Sequence, residues 1–97
     1  MPKAYVIVDM DVTDPDRYAA DYVPLSGPSV EVAGGRYLAR GGETAVLEGD
    51  RQPHRTVLIE FESADAASAA HDSPGYQEAL AALDGGAVRD LRIVPGV

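Results

Sequence analysis

A chain of 97 residues supports one hydrophobic core, and having no cysteine it offers no disulfide, no thiolate metal ligand and no thiol nucleophile. Sixteen acidic residues against eight basic ones leave a net charge of -8, which repels phosphate backbones and anionic bilayers and so argues against nucleic-acid and membrane partners. The longest wholly apolar run, residues 4–8, is far short of the ~20 residues of a membrane span, and it lacks the length and cleavage site of a secretory signal, so the chain reads as a single cytoplasmic domain.

Residues 4–12 (AYVIVDMDV) alternate as a strand does. Val6, Val8, Met10 and Val12 share one face, the core side. Tyr5, Ile7, Asp9 and Asp11 share the other, apolar at its start and acidic at its end. A helix follows, with Asp14 as its cap, Pro15 at the first helical position and Asp16 near the positive helix end. Tyr18 and Tyr22, four apart, fall on one side of it and read as packing residues. Pro24 and Pro28 predict a break over residues 23–27 and a second helical piece over 28–33, because an internal proline removes a hydrogen bond and collides with the preceding turn.

The middle of the chain is a ribbon bounded by glycine pairs. Gly34-Gly35 closes the helical region, residues 36–40 read as a strand, and Gly41-Gly42 stops it. Residues 44–48 form a short further strand candidate, the run Glu-Gly-Asp-Arg-Gln-Pro supplies a turn, and residues 56–62 are a β-branched and aromatic strand. Ser63 caps an alanine-rich helix, residues 64–72, whose small side chains permit close approach to a sheet. Ser73-Pro74 restarts a helix over 75–83, carrying Tyr76, Ala79, Leu80 and Leu83 at helical spacing. Gly85-Gly86 ends it, and residues 90–94 form the last strand.

The order β-α-β-(β)-β-α-β, joined by right-handed crossovers, gives an α+β class fold: a ferredoxin-like β-α-β-β-α-β sandwich with an antiparallel sheet ordered last, first, third, second, and helices on one face. The uncovered face carries Tyr5, Ile7 and Leu58, too apolar a set to rest in water. Two such sheets placed face to face would bury it, which predicts a homodimer.

Four segments, VTDPDRY at 12–18, GGRYLARGG at 34–42, VLIEF at 57–61 and SPGYQ at 73–77, together resemble the domain of unknown function family 1330, small proteins of the dimeric α/β-barrel superfamily. The resemblance covers nearly the whole chain. It implies a ferredoxin-like subunit and a dimer whose facing sheets form a barrel, and it implies no established reaction. Branches of the superfamily include cofactor-free monooxygenases, haem-handling enzymes, muconolactone isomerases and ligand sensors, and the fold does not choose among them. Where family members carry aromatic residues just before the Ser-Pro pair, this chain has Ala70, His71 and Asp72.

On the expected sheet order, one row across the barrel-facing side reads Arg92, Asp9, Glu60, Arg40, with Arg36, Asp11 and Glu62 near its ends. Two carboxylates flanked by guanidiniums would hold a carboxylic acid substrate and raise one carboxylate's proton affinity, which suits proton abstraction beside a carbonyl without a cofactor. The same charges also read as ordinary cross-strand pairs. Arg40 and Glu60 rank first as catalytic candidates because they lie in the family-like segments, and Asp9 follows by position. Tyr76, Arg92 and His54 are the candidate substrate-binding residues; a tyrosine such as Tyr76 reads equally as an anchor of helix on sheet, and His54 sits in a turn. His71, at a helix C-terminus, complements the helix dipole, and no histidine spacing points to a metal or haem. The glycine pairs match no nucleotide-binding pattern and no serine lies in a nucleophile elbow. Two functions follow: a homodimer that binds a small carboxylic or aromatic molecule inside the barrel, as a cofactor-independent enzyme, or a non-catalytic ligand-sensing or interaction module.

Overall fold

The computed structural model describes residues 2–50 and 55–97. Its elements are β1 (Ala4–Val12), α1 (Pro15–Arg17), a π-helical turn (Tyr18–Tyr22), α2 (Val23–Val32), β2 (Arg36–Arg40), β3 (Arg55–Phe61), α3 (Ala64–Asp72), α4 (Pro74–Leu83) and β4 (Ala87–Pro95). All four strands form one antiparallel sheet in the order β2-β3-β1-β4. The helices pack on one side of it, α3 directly on the sheet and α4 against α2 and the π turn.

The alternation seen in the sequence decides which face is covered. Val6, Val8 and Met10 of β1 and Val57, Ile59 and Phe61 of β3 point under the helices, and each is at most 7% exposed. Their neighbours Tyr5, Ile7, Leu58 and Glu60 point to the open side. Ser63 caps α3 by accepting from the Ala66 N–H at 3.0 Å. Ser73 does two jobs, closing α3 through its hydroxyl to the Ala70 carbonyl at 2.7 Å and capping α4 by accepting from the Tyr76 N–H at 3.3 Å.

Three local expectations are corrected. The break expected over residues 23–27 does not occur; the helical path runs through to Val32, and its irregularity lies earlier, where the Val23 N–H reaches back to the Tyr18 carbonyl in a π turn. That wider turn lets Pro24 enter without striking the carbonyl four residues back, and it leaves Pro24 in the first turn of α2, where its missing N–H costs little. Pro28 stays inside α2. The strand expected over residues 44–48 is absent among the described residues: Gly41, at φ +77°, turns the chain off the sheet, and Val46 and Leu47 are 43% and 93% exposed. The last strand begins at Ala87 rather than residue 90, its start held by the Gly86 carbonyl, which accepts from the N–H groups of Thr13 and Asp14 at 2.9 and 3.0 Å.

A fourth difference matters most. In the pairing of β2 with β3, Tyr37 sits opposite Ile59 but Ala39 sits opposite Leu58, so Leu38 is a bulge residue. A one-residue bulge exchanges the faces beyond it. Arg36 faces the open side with Glu60, whereas Arg40 is paired with Val57 and turns under the helices. It reaches as far as α2, where a Cβ on Gly27 would lie 2.9 Å from Arg40 Nη2.

Gly35 allows a similar approach in the core. A Cβ there would come within 2.6 Å of Val30 Cγ1 and 2.8 Å of Phe61 Cζ, so Gly35→Ala is expected to lower stability by about 1–3 kcal/mol through overpacking. Urea unfolding midpoints of the two proteins check this.

Candidate functional site

The helix side of the sheet carries an unusual set of cations at one end. Arg89 of β4 and Arg55 of β3 both pair with Met10 of β1, so one rung across three strands reads Arg89, Met10, Arg55, and Arg40 enters one step further along. Three of the eight basic residues of an acidic chain thus converge there. Each is held by aromatic rings rather than by a carboxylate. The Arg40 guanidinium lies 4.1 Å from the Tyr37 ring centre, Arg55 4.9 Å from Tyr18, and Arg89 5.6 and 5.9 Å from Tyr22 and Tyr76. A cation over an aromatic face is stabilised by the ring quadrupole while its N–H edge stays free to donate.

The π turn supplies two of these rings, Tyr18 and Tyr22, stacked with centres 5.3 Å apart. Tyr22 and Tyr76 share a hydrogen bond between their hydroxyls at 3.0 Å, and Arg89 Nη2 donates to both oxygens. The Nε–H of Arg89 is buried and has no hydrogen-bond partner among the described residues. These groups, with Ser26, line a cavity of ≈ 30 Å³ set in a cleft of ≈ 390 Å³ counted to its open mouth. No aspartate or glutamate lines it. Sharing Val30, Ile59 and Tyr76 with it is a second cavity of ≈ 30 Å³, walled by Val6, Phe61, Ala67, Ala70 and Ile93 and bordered by His71, whose ring is 5.4 Å from that of Tyr76. The enclosed space holds about one water in each chamber; the alanines of α3 are what leave the second one open.

Burial pushes the Tyr22 phenol well above its ordinary range, with the adjacent Tyr76 adding to the shift and Arg89 opposing it. Burial also raises Tyr37, against the pull of Arg40. A phenol whose folded value is raised adds stability that is complete below the unfolded value near ~10 and is lost as pH rises above it, because above that point the unfolded chain binds fewer protons than the folded one. Stability is therefore expected to fall as pH rises past ~10, and absorbance titration of the tyrosines should show a late phase that vanishes in Tyr22→Phe.

The residues singled out from sequence separate into two places. Tyr76 and Arg40 lie in the cavity between sheet and helices. Asp9, Glu60 and Arg92 lie on the open face, where Asp9 accepts from the Thr56 hydroxyl at 2.8 Å and stands 3.7 Å from Arg92 Nη2, while Glu60 pairs with Lys3 Nζ at 3.1 Å. Glu60 is opposite Tyr5, and Asp9 is opposite Thr56, four residues or ~13 Å further along the strand. The single charged row of the sequence reading is thus two separate ion pairs, with Arg40 on the other face of the sheet. His54 lies outside the described residues. Among the described residues no three histidine or acidic side chains gather where a metal ion could sit, and no helix is long and apolar enough to cross a membrane.

Arg89 falls outside the strand expected from the sequence, which starts at residue 90, three residues after Ala87. The signal for it is the alternation Arg89, Leu91, Ile93, which puts an arginine in line with core residues. Tyr22 was read as packing only.

A four-stranded antiparallel sheet in this order, with the described helices on one face, defines a ferredoxin-like α+β protein. The chain belongs to the family described as domain of unknown function (DUF1330), which matches residues 3–97. A protein of unknown function from Rhodopseudomonas palustris is similar in structure over 99% of this chain and 83% of its own, at 19% identity and a TM-score of 0.79. SnoaB from Streptomyces nogalater, a cofactor-independent oxygenase, aligns over 97% of this chain and 92% of its own, at 14% identity and a TM-score of 0.64. A dimeric ferredoxin-like protein of unknown function from Thermobifida fusca aligns over 97% and 91%, at 15% identity and a TM-score of 0.53. No functionally curated protein matches the chain.

Proposed function

We propose that this protein works as a homodimer, its open sheet faces together, and that each subunit binds a small carboxylic or aromatic molecule in the cavity between its own sheet and helices without a cofactor. The buried, partnerless Nε–H of Arg89 beside that cavity carries the reading, since a charged donor left without an acceptor costs about 1–3 kcal/mol that a bound molecule would recover. Arg40 and Tyr76 are the further binding groups. Asp9 with Arg92, and Glu60 with Arg36, face the partner sheet and set the angle at which the two sheets meet. Support for the dimer comes from Ile7 and Leu58, paired at the centre of a face no helix covers, and from the dimeric neighbour of T. fusca.

The polar groups of the cavity are guanidiniums, phenols and the Ser26 hydroxyl, with no carboxylate among them. Such a set stabilises an anion, and the imidazole of His71 lies at the border of the adjoining apolar chamber. The oxygenase activity of the S. nogalater neighbour is in keeping with cofactor-independent chemistry on this fold. Thermal-shift screening of small aromatic acids and alcohols tests the reading. At least one compound is expected to raise Tm in the native protein and not in Ala70→Leu, whose longer side chain fills the apolar chamber. Equal shifts in both proteins, or none in the native one, would contradict it.

A further inference from the structure

We propose that the molecule held in this cavity is a planar carboxylate, its negative end against the Arg89 Nε–H and the Arg40 guanidinium, its flat body directed past the Tyr76 ring toward Ala67 and Ala70. The inference rests on the cavity reading above and names the class of ligand. Three observations carry it. First, the Arg89 Nε–H has no acceptor, while its Nη2 is already committed to the hydroxyls of Tyr22 and Tyr76. Among the described residues none supplies the missing acceptor, and no acidic side chain is among those lining the cavity.

Second, the charge is uncompensated where the rest of the molecule has an excess of the opposite sign. A net charge of -8 leaves many carboxylates available, yet Arg40, Arg55 and Arg89 are stacked on tyrosines. A guanidinium over a ring keeps N–H groups free to donate, and with the Arg89 Nη2 taken by the two phenols, the Arg89 Nε–H and the Arg40 guanidinium together make the fork that a carboxylate would take with its two oxygens. A neutral ligand would satisfy Nε but would leave the half-buried Arg89 without a counter-charge. Arg55, exposed over the Tyr18 ring, adds to the attraction that draws an anion in.

Third, the space beyond the fork is a slot. The sheet residues Val6, Ile59 and Phe61 make one wall and Ala67 and Ala70 of α3 the other, with Tyr76 between this slot and the polar chamber. The enclosed part of the slot holds about one water, but it opens into a cleft of ≈ 350 Å³ counted to its mouth, and a flat apolar body entering from there would lay its ring beside that of Tyr76.

The test uses the full-length dimer and three probes: benzoate, its neutral isostere benzamide, and acetate. Binding is followed by NMR at the Arg89 Nε–H and at the methyl groups of Ala67 and Ala70. Benzoate is expected to move all three signals and to bind at least about tenfold more tightly than benzamide, with acetate moving the Arg89 signal alone. Arg89→Lys, which keeps the charge but loses Nε and the fork, should weaken benzoate by about tenfold or more while the protein stays dimeric and folded. Benzamide binding as tightly as benzoate with the same methyl shifts would leave the cavity as a ligand site and overturn the carboxylate. Benzoate binding unaffected by Arg89→Lys would overturn the placement of its charge. Benzoate and benzamide both leaving the cavity signals unmoved would overturn the carboxylate and the cavity reading together.

Discussion

Replacing Leu58 with aspartate is expected to convert the proposed dimer into folded monomers. Leu58 projects from the open side of β3 directly opposite Ile7 of β1, while its neighbours Val57 and Ile59 hold the subunit's own core from the other side. The new charge therefore leaves the core untouched. In a two-fold interface it appears twice, on two faces that meet, so two carboxylates must be desolvated against each other's apolar surroundings. The dimer dissociation constant should rise by at least about a hundredfold, the effect of losing an interface hot spot of ~3 kcal/mol. Sedimentation measures this directly, and circular dichroism shows whether the monomer remains folded. A variant that stays dimeric would place the interface elsewhere.

Tyr76→Ala is expected to have the largest effect on stability. The ring is buried at the junction of α4, α2 and the sheet, and its hydroxyl accepts from Arg89 and bonds with Tyr22. Truncation joins the two chambers into one void and takes a partner from a buried guanidinium and a buried phenol. Removal of a core aromatic costs about 3–5 kcal/mol, which in a domain of this size lowers Tm by roughly 12 °C or more. Tyr76→Phe keeps the wall and removes only the hydrogen bonds, at about 1–3 kcal/mol. If Tyr76→Phe were as damaging as Tyr76→Ala, the hydroxyl network and not the packing would be what holds α4 to the sheet.

The architecture was legible in the sequence because its signals are local. The alternation of Val6, Val8 and Met10 gave the covered face, Ser63 and Ser73 marked two helix starts, and the element order allowed one economical topology. Even α3 was placed to the residue. What could not be read was the effect of one extra residue in β2. Nothing in Arg-Tyr-Leu-Ala-Arg announces that Leu38 will bulge, since bulges arise from how two strands accommodate each other's twist. Without the bulge Arg40 joins Arg36 on the open face, and the charged row of the sequence reading follows. With it, Arg40 meets Tyr37, Arg89 and Tyr76 on the far side of the sheet, and the candidate site moves from between two subunits to within one. The π turn was hidden for a related reason. Pro24 declares that a regular helix is disturbed, but whether the chain breaks or widens is decided by the packing of Tyr18 and Tyr22, which sequence spacing alone does not set.

The location of the bound molecule is the point on which the account turns, and a crystal of the dimer soaked in 4-bromobenzoate measures it, because anomalous scattering marks the bromine without reference to the rest of the map. The account predicts a bromine peak within each subunit, in the slot between Phe61 and the alanines of α3, with the carboxylate toward Arg89. A peak confined to the space between the two sheets, near Asp9 and Arg92, or no peak inside the subunit, would contradict it.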